Sequence, residues 1–460
     1  MNSIKSSLVN VDRKWLVLIA IGMSTFMSAL DTSVVNTVLP VISKAFKTDI
    51  ATVEWVVIIY LLIVTGLLLS FGRLGDIRGH KSIFLTGFSI FLISSALCGW
   101  AQKIEFLIIF RGIQALGAAM LAANSPAILT KNFPSSQRGQ ALGLQATMTY
   151  LGLTAAPSLG GWLTDLISWR AVFYINIPVG GIAFLLAWVF IPQDGQEKIR
   201  EQFDFLGAFL FLAGLIALLL GLNQGSSWGW LSPTIIGLFL FAGIFLVVFI
   251  FIEKRRASPL LDLSLFYNRV FSASVISAVL NYMAVFSILF LMPFYLLQGR
   301  EFSPSQAGLI LTVQPIVMAI IAPISGSISD RIGTRIPTAS GLVILAIGMF
   351  MMSQLGPNSP ISQIGIVLAI VGFGTGTFIS PNNSAIMGAA PKKEQGIAAG
   401  LLATARSTGM VLGVGIAGAI FTSVMASAES QNPVYVAFST SLLIAAGFAA
   451  IGAFFSAFKK

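Results

Sequence analysis

Asp31 lies near the middle of a long apolar run, Trp15 to Pro40, and no other acidic residue lies so deep in an apolar segment. A carboxylate at bilayer depth costs roughly 2.5–3.5 kcal/mol on insertion scales, so a chain keeps one for what it does. The chemistry open to it is reversible protonation. Arg111 sits seven residues into the apolar run that starts near Ile104, and Asp31 sits nine residues back from Pro40. At about 1.5 Å of helical rise per residue, both lie some 10–13 Å below one surface, so the two can pair. Movement of Arg111, or arrival of a cationic substrate, would then toggle the protonation of Asp31: a proton or a cation, not both. The competing reading is a carboxylate permanently paired for structure, with Arg111 as an electrostatic strut. Arg406, about ten residues into a later run, suits packing better. Two interior arginines against one carboxylate leave excess positive charge, which keeps anionic cargo open.

Such residues need apolar elements to hold them. Of 460 residues, 56% are apolar and 10% charged, with a mean hydropathy of +0.90. Soluble domains carry about 25% charged residues, so this composition describes a multi-pass membrane protein. The apolar stretches have the length of α-helical spans and lack the alternation of barrel strands. The expected fold class is therefore an all-α polytopic membrane protein. Fourteen spans are expected, near 15–40, 51–71, 83–101, 104–129, 139–163, 171–191, 205–222, 233–252, 270–297, 306–328, 337–355, 361–388, 397–425 and 435–457. With the amino terminus inside, the inner segments hold 20 Lys and Arg and the outer segments 5 (Lys44, Lys47, Lys103, Arg170 and Arg300). That bias predicts both termini in the cytoplasm. It also accounts for the net charge of +10 without nucleic acid. One cysteine, Cys98, and one histidine exclude an intrachain disulfide and argue against a dedicated zinc, haem or iron–sulfur site. No metal is expected, no cleavable signal peptide is evident, and no His–Asp pair or metal cluster suggests an enzyme.

An internal repeat organises the spans. Gly72-Arg-Leu-Gly-Asp76-Ile-Arg78-Gly79-His-Lys81 follows the second span, and Gly326-Ser-Ile-Ser-Asp330-Arg331-Ile-Gly333-Thr-Arg335 follows the tenth. Two halves that begin alike mark a transporter built from repeats. The copies lie eight spans apart, so the seventh and eighth look like an insertion between two six-helix bundles. The domain reading is 1–191 for the first bundle, 192–260 for the linker with the inserted spans, and 261–460 for the second bundle. Neither copy is a phosphate cradle, since the Gly-x-x-x-x-Gly-Lys-Ser/Thr pattern is missing.

The chain resembles the major facilitator superfamily, and within it the fourteen-helix drug:proton antiporters of the multidrug efflux type. Leu30-Asp-Thr-Ser-Val-Val-Asn-Thr-Val-Leu-Pro40 resembles the first-helix motif, and Gly72–Lys81 the loop motif. Arg111-Gly-Ile-Gln114-Ala-Leu-Gly117 resembles the fourth-helix motif. Gly152-x-x-x-Ala156-Pro157-x-x-Gly160-Gly161 resembles the antiporter motif, and Trp169-Arg-Ala-Val-Phe-Tyr-Ile-Asn176-Ile-Pro178 a sequence typical of the branch. Departures are Ile77 and His80 in the loop, and Ala115 and Ala156 where glycines are usual.

The resemblance implies alternating access by two rocking bundles, with Asp31 and Arg111 as the proton-coupling pair. It implies gating by Gly72, Asp76, Arg78, Gly79, Lys81, Asp330, Arg331 and Gly333, with Asp76 meeting a helix amino terminus of the opposite half. A closely packed fifth helix carrying Gly152, Pro157, Gly160 and Gly161 would seal against proton leak; ordinary close packing is the other reading. Spans 1, 4, 9 and 12 should line the cavity and offer Met27, Asn124, Asn281, Tyr282, Phe286, Phe378, Asn382 and Asn383 to substrate, although packing or lipid contact competes at each. The expected function is export of amphipathic, cationic or zwitterionic compounds against inward proton flow. The alternative is an exporter or flippase of an endogenous lipid or anionic metabolite. No cofactor is expected, since the proton gradient drives transport. The expected partners are protons, amphipathic small molecules and the bilayer, with a monomer in a bacterial inner membrane. Nothing in the sequence shows whether a periplasmic adaptor is engaged.

Overall fold

The structure, a computed structural model, describes residues 13–134, 137–193, 205–254, 263–390, 395–427 and 432–458. Of the inner cations counted above, Lys5, Lys198, Arg200, Arg255, Arg256, Lys392, Lys393, Lys459 and Lys460 lie outside them. The first half comprises α1 (Arg13–Phe46), α2 (Ile50–Arg78), α3 (His80–Trp100), α4 (Ile104–Asn132), α5 (Arg138–Leu166) and α6 (Asn176–Phe190), the last preceded by one turn at Ala171–Tyr174. The inserted pair is α7 (Phe205–Trp228) and α8 (Pro233–Glu253). The second half comprises α9 (Arg269–Phe294), α10 (Pro304–Leu311 continued by Val313–Ile332), α11 (Arg335–Ser353), α12 (Ile361–Ala389), α13 (Gln395–Ser427) and α14 (Pro433–Ala457).

Short polar residues placed just before apolar runs start several of these helices. Asp49 accepts from the Thr52 amide at α2, Ser232 from Ile235 at α8, and Asn268 from Val270 and Phe271 at α9. Ser303 and Gln306 form a reciprocal capping box at α10. Each satisfies amide donors that the first turn leaves free. Among the described residues, thirteen helices are long and apolar enough to cross a membrane. The fourteenth, α5, is 29 residues long, but its glycines and threonines make it less apolar.

Packing repeats with the same offset of eight. In the first half α1 packs on α5 and α6, and α4 on α2 and α3. In the second, α9 packs on α13 and α14, and α12 on α10 and α11. The loop motifs repeat in geometry too. Gly79 and Gly333 hold φ of +94° and +83°, a region where a β-carbon is strained, which explains glycine at both. Two residues beyond each, a cation fastens the last helix of its own half. The Lys81 ammonium donates to the Trp188 and Ile191 carbonyls at the end of α6, and Arg335 Nε donates to the Ala457 carbonyl of α14 at 2.6 Å. Lys81, expected in a gate between the halves, thus ties the end of α6 within its own half, where unpaired carbonyls favour a cation.

The inserted helix α7 packs against both α2 and α13, while α8 packs on α7. α7 therefore lies along the line where the halves meet, and α8 turns Ile236, Leu240, Ile244, Val247 and Phe251 outward as exposed apolar surface.

With fourteen helices crossing in turn, the start of α1 and the end of α14 lie on one face, the terminus face. The halves lock together toward the opposite, far face. Along α5 and α10, a β-carbon on Gly161 would overlap the Pro304 carbonyl, and one on Gly308 the Pro157 carbonyl. Ser158 Oγ and Thr312 Oγ1 are 2.6 Å apart, and the Ser305 amide donates to Asp165 at 2.9 Å. Gly152 and Gly160 instead face α1, over Phe26 and Val34. The antiporter-like segment thus packs two ways, onto its own bundle and across the seam. Gly161→Leu is expected to hold this seam apart. With Cys98 replaced by Ser and a cysteine placed at Ser158, its alkylation in detergent should then speed up about tenfold or more, the response to about 1.4 kcal/mol against the closed state. An unchanged rate would mean that the halves do not part here.

Candidate functional site

The first bundle encloses Asp31 at the middle of α1 with 0% exposure, and Arg111 of α4 with 1%. Arg111 Nη1 lies 2.6 Å from Asp31 Oδ2. The depth match read from the sequence is therefore met in space. A charged pair removed from water is tolerable only when further hydrogen bonds support it, and here both partners have them. Asp31 Oδ1 accepts from Asn176 Nδ2 at 2.7 Å and from Gln114 Nε2 at 3.1 Å. Arg111 donates to Gln114 Oε1 at 2.8 Å and, through Nε, to the Val56 carbonyl at 3.2 Å. Its guanidinium lies 4.1 Å from the centre of the Tyr60 ring, a cation–π contact strengthened by desolvation. Asn176 also donates to Ser95 Oγ, which donates to the Phe173 carbonyl.

Five helices therefore converge on one carboxylate. Gln114 is one turn from Arg111 on the same face of α4. Asn176 opens α6, positioned by the turn of helix at Ala171–Tyr174 and by Trp169, which packs edge-on against Phe46 and Phe173. Sequence reasoning quoted Gln114 and Asn176 inside motifs but gave them no role; Tyr60 and Ser95 it missed. A polar side chain at motif spacing in an apolar run was the signal available for the first two.

The remaining expected residues fall elsewhere. Asp76 is 41% exposed and pairs within its own segment, with His80 Nε2 at 3.3 Å and Arg73 at 4.0 Å. Among the described residues it does not meet a helix amino terminus of the other half, because the halves touch at the far face. Arg78, Asp330 and Arg331 are likewise exposed. His80 bridges Asp76 to Asn124, whose Oδ1 is 2.8 Å from His80 Nδ1. Asn124 also donates to the Met120 and Phe71 carbonyls, so it joins α4 to α2 rather than facing open space. Met27, Asn281, Phe286, Phe378 and Asn382 are also enclosed by protein. Met27 lies against Gly180 of α6 and Phe378 against Gly341 of α11, and Asn382 donates to the Ser274 carbonyl. Small residues let these helices approach closely, which buries side chains expected to line a cavity. Tyr282 differs. Its hydroxyl accepts from Arg406 Nε at 2.8 Å, with Tyr150 of α5 beside the same guanidinium. Arg406, α9 and α5 thus meet between the halves. Asn383 is half-buried.

Reading Asp31 as the one deep carboxylate requires correction. Glu54, near the start of α2, is 1% exposed. It is shallow along the chain, and neighbouring helices enclose it.

Two repeated bundles with an enclosed ion pair at mid-depth define a membrane transporter of the repeat-built class. The chain belongs to the Major Facilitator Superfamily, whose model matches residues 21–268, 203–414 and 274–459. Among similar proteins, the riboflavin transporter RibZ of Clostridioides difficile is 35% identical over 94% of this chain and 93% of its own. The multidrug resistance protein Stp of Mycobacterium tuberculosis is 31% identical over 89% of this chain and 76% of its own. In solved structures, a bacterial homologue of the human lysosomal transporter Spinster, inward-facing and unoccupied, shares the fold with a TM-score of 0.69 at 15% identity, over 98% of this chain and 97% of that one.

Proposed function

We propose that this transporter exports amphipathic, cationic or zwitterionic compounds in exchange for protons entering through Asp31. The observation that carries this reading is the enclosed Asp31–Arg111 pair. A carboxylate fully removed from water, with its charge balanced by one guanidinium, changes state only if the proton replaces that balance or the guanidinium moves. Gln114 and Asn176 can hold either form of the acid, since each amide offers both donor and acceptor atoms. Protonation of Asp31 would free Arg111 to shift against α2 and Val56, and α2 is one of the helices at the seam.

The bias of cations toward the terminus face supports a cytoplasmic location for both termini, in the inner membrane of a bacterium. The far face is then the outer one, and the structure is sealed outward. No cofactor is called for, and a single chain contains both halves.

A second reading rests on Arg406. It faces two tyrosines and, among the described residues, no carboxylate, which suits an anionic or electron-rich cargo such as a lipid headgroup or a flavin-like metabolite. The similarity to a riboflavin transporter supports the same reading.

Ethidium and riboflavin fluxes in cells and inverted vesicles separate the two. Under the first reading, wild-type ethidium efflux is fast and collapses with a protonophore. If no dye moves under any gradient while riboflavin or a lipid does, the second reading replaces it.

A further inference from the structure

Glu54 takes no part in the pair described above, and its surroundings are unlike those of Asp31. Its carboxylate rests on the backbone of α13 at Gly418, where a β-carbon would overlap both carboxylate oxygens. α13 belongs to the second half, so Glu54 sits in the seam itself. From the side, α7 closes over it. Asn223 Nδ2 of α7 donates to Glu54 Oε2 at 3.3 Å and to the Ala51 carbonyl at 3.1 Å. Trp55 Nε1 donates to Asn223 Oδ1 at 2.7 Å, fixing the amide's orientation. Glu54 Oε1 has no hydrogen-bond partner among the described residues.

Among the described residues no charge balances this group. α7 carries no ionisable side chain. On α13 the ionisable residue is Arg406, twelve residues from Gly418, or about 18 Å of helix. α2 and α4 contribute Tyr60 and Arg111, which are engaged with each other and with Asp31. Lys44, Lys47, Asp49, Lys103 and Glu105, at the same end of the first half, are exposed. An anion enclosed with an unsatisfied oxygen and no cation is far costlier than the neutral acid in the same place. When α13 leaves, the same carboxyl meets water, where the anion is the ordinary form.

We propose that Glu54 is a second proton-binding site, loaded from the outer water before the outer seam can close over it. The O–H bond forms with a proton from outside and breaks back to outside when the seam reopens. This proton is therefore a condition for returning to the inward-open state and not the one carried across. The inserted helix α7 contributes the lid and the amide that holds the acid. The proposal rests on the orientation given above, and it is independent of the cargo.

The test reads the seam directly. Spin labels at Lys103→Cys and Asn358→Cys, on the exposed outer connections of the two halves and in a Cys98→Ser background, report its opening as a longer distance. In purified protein, the wild-type closed-to-open ratio should fall about tenfold per pH unit across the range where one proton is lost. Glu54→Gln should stay closed at every pH, while Asp31→Asn, whose midpoint can move because Arg111 bears on α2, keeps a one-proton response. A wild-type response surviving in Glu54→Gln, or a wild-type seam closed at every pH, overturns the proposal. Glu54→Asp guards against a misfolded Gln variant: a retained response with a displaced midpoint supports the site, and a curve superimposed on wild type counts against it. Loss of the response in Glu54→Gln from a protein that moves no dye would leave this site standing and the drug-export reading fallen.

Discussion

Asp31→Asn is expected to abolish proton-driven efflux while leaving the protein inserted and folded. The amide is nearly isosteric and keeps an oxygen for Asn176 or Gln114, so the cluster of five helices can close around it. What it loses is the exchangeable proton and the charge that holds Arg111 at 2.6 Å. Under the proposed exchange, an entering proton supplies about 2.3 kcal/mol per 100 mV, plus the pH term. For a zwitterionic cargo that corresponds to a concentration ratio of roughly fifty, since every 1.4 kcal/mol is tenfold. For ethidium, whose own charge moves outward against the same potential, a one-for-one exchange is electroneutral and the pH term drives it. Without the proton, ethidium should only equilibrate, and the variant's flux should no longer respond to a protonophore. Dye efflux from loaded cells, normalised to protein in the membrane, measures both. Efflux by the variant that still collapses with the protonophore would remove Asp31 from the coupling step.

Arg111→Ala should act on the fold before it acts on transport. It leaves the Asp31 carboxylate enclosed at 0% exposure with amide donors but no counter-charge. Breaking a buried pair by removing one partner costs about 3–5 kcal/mol, much of it the penalty of the stranded charge. The double variant Asp31→Asn/Arg111→Gln removes both charges together and should regain most of that loss while remaining uncoupled. Unfolding in detergent, followed by tryptophan fluorescence, gives the comparison. A single variant as stable as wild type would mean that Asp31 reaches water or already carries a proton.

Both predictions concern residues that the sequence offered openly. Asp31 and Arg111 interrupt apolar runs, and their offsets from span ends place them at one depth. The spans are legible for the same reason, since insertion into a bilayer is decided by hydropathy along the chain. The repeat was visible because glycine is needed where φ is positive, at Gly79 and Gly333, and few residues replace it there. The family resemblance pointed to the right superfamily, whose model spans the chain. It served less well for individual side chains. Met27, Asn124, Phe378 and Asn382 belong to helices expected at the cavity, and each is spent on a neighbouring helix.

The sequence by itself determined the class of protein, its helical spans, the repeat and the enclosed Asp31–Arg111 pair. Tertiary structure alone decided which helix faces meet. In a soluble helix an apolar stripe announces the buried face. A helix in lipid is apolar all round, so its buried face carries little hydropathic contrast and is set by close packing of small residues. Lys81 therefore looked like part of a gate until the end of α6 was found beneath it. Asn176 was one polar residue in a signature until α6 carried it to Asp31. Glu54 stands four residues from a helix start, where nothing in the chain around it announces burial. Gly418 from the other half and Asn223 from the inserted helix, both distant in sequence, make it one of the most enclosed carboxylates in the molecule.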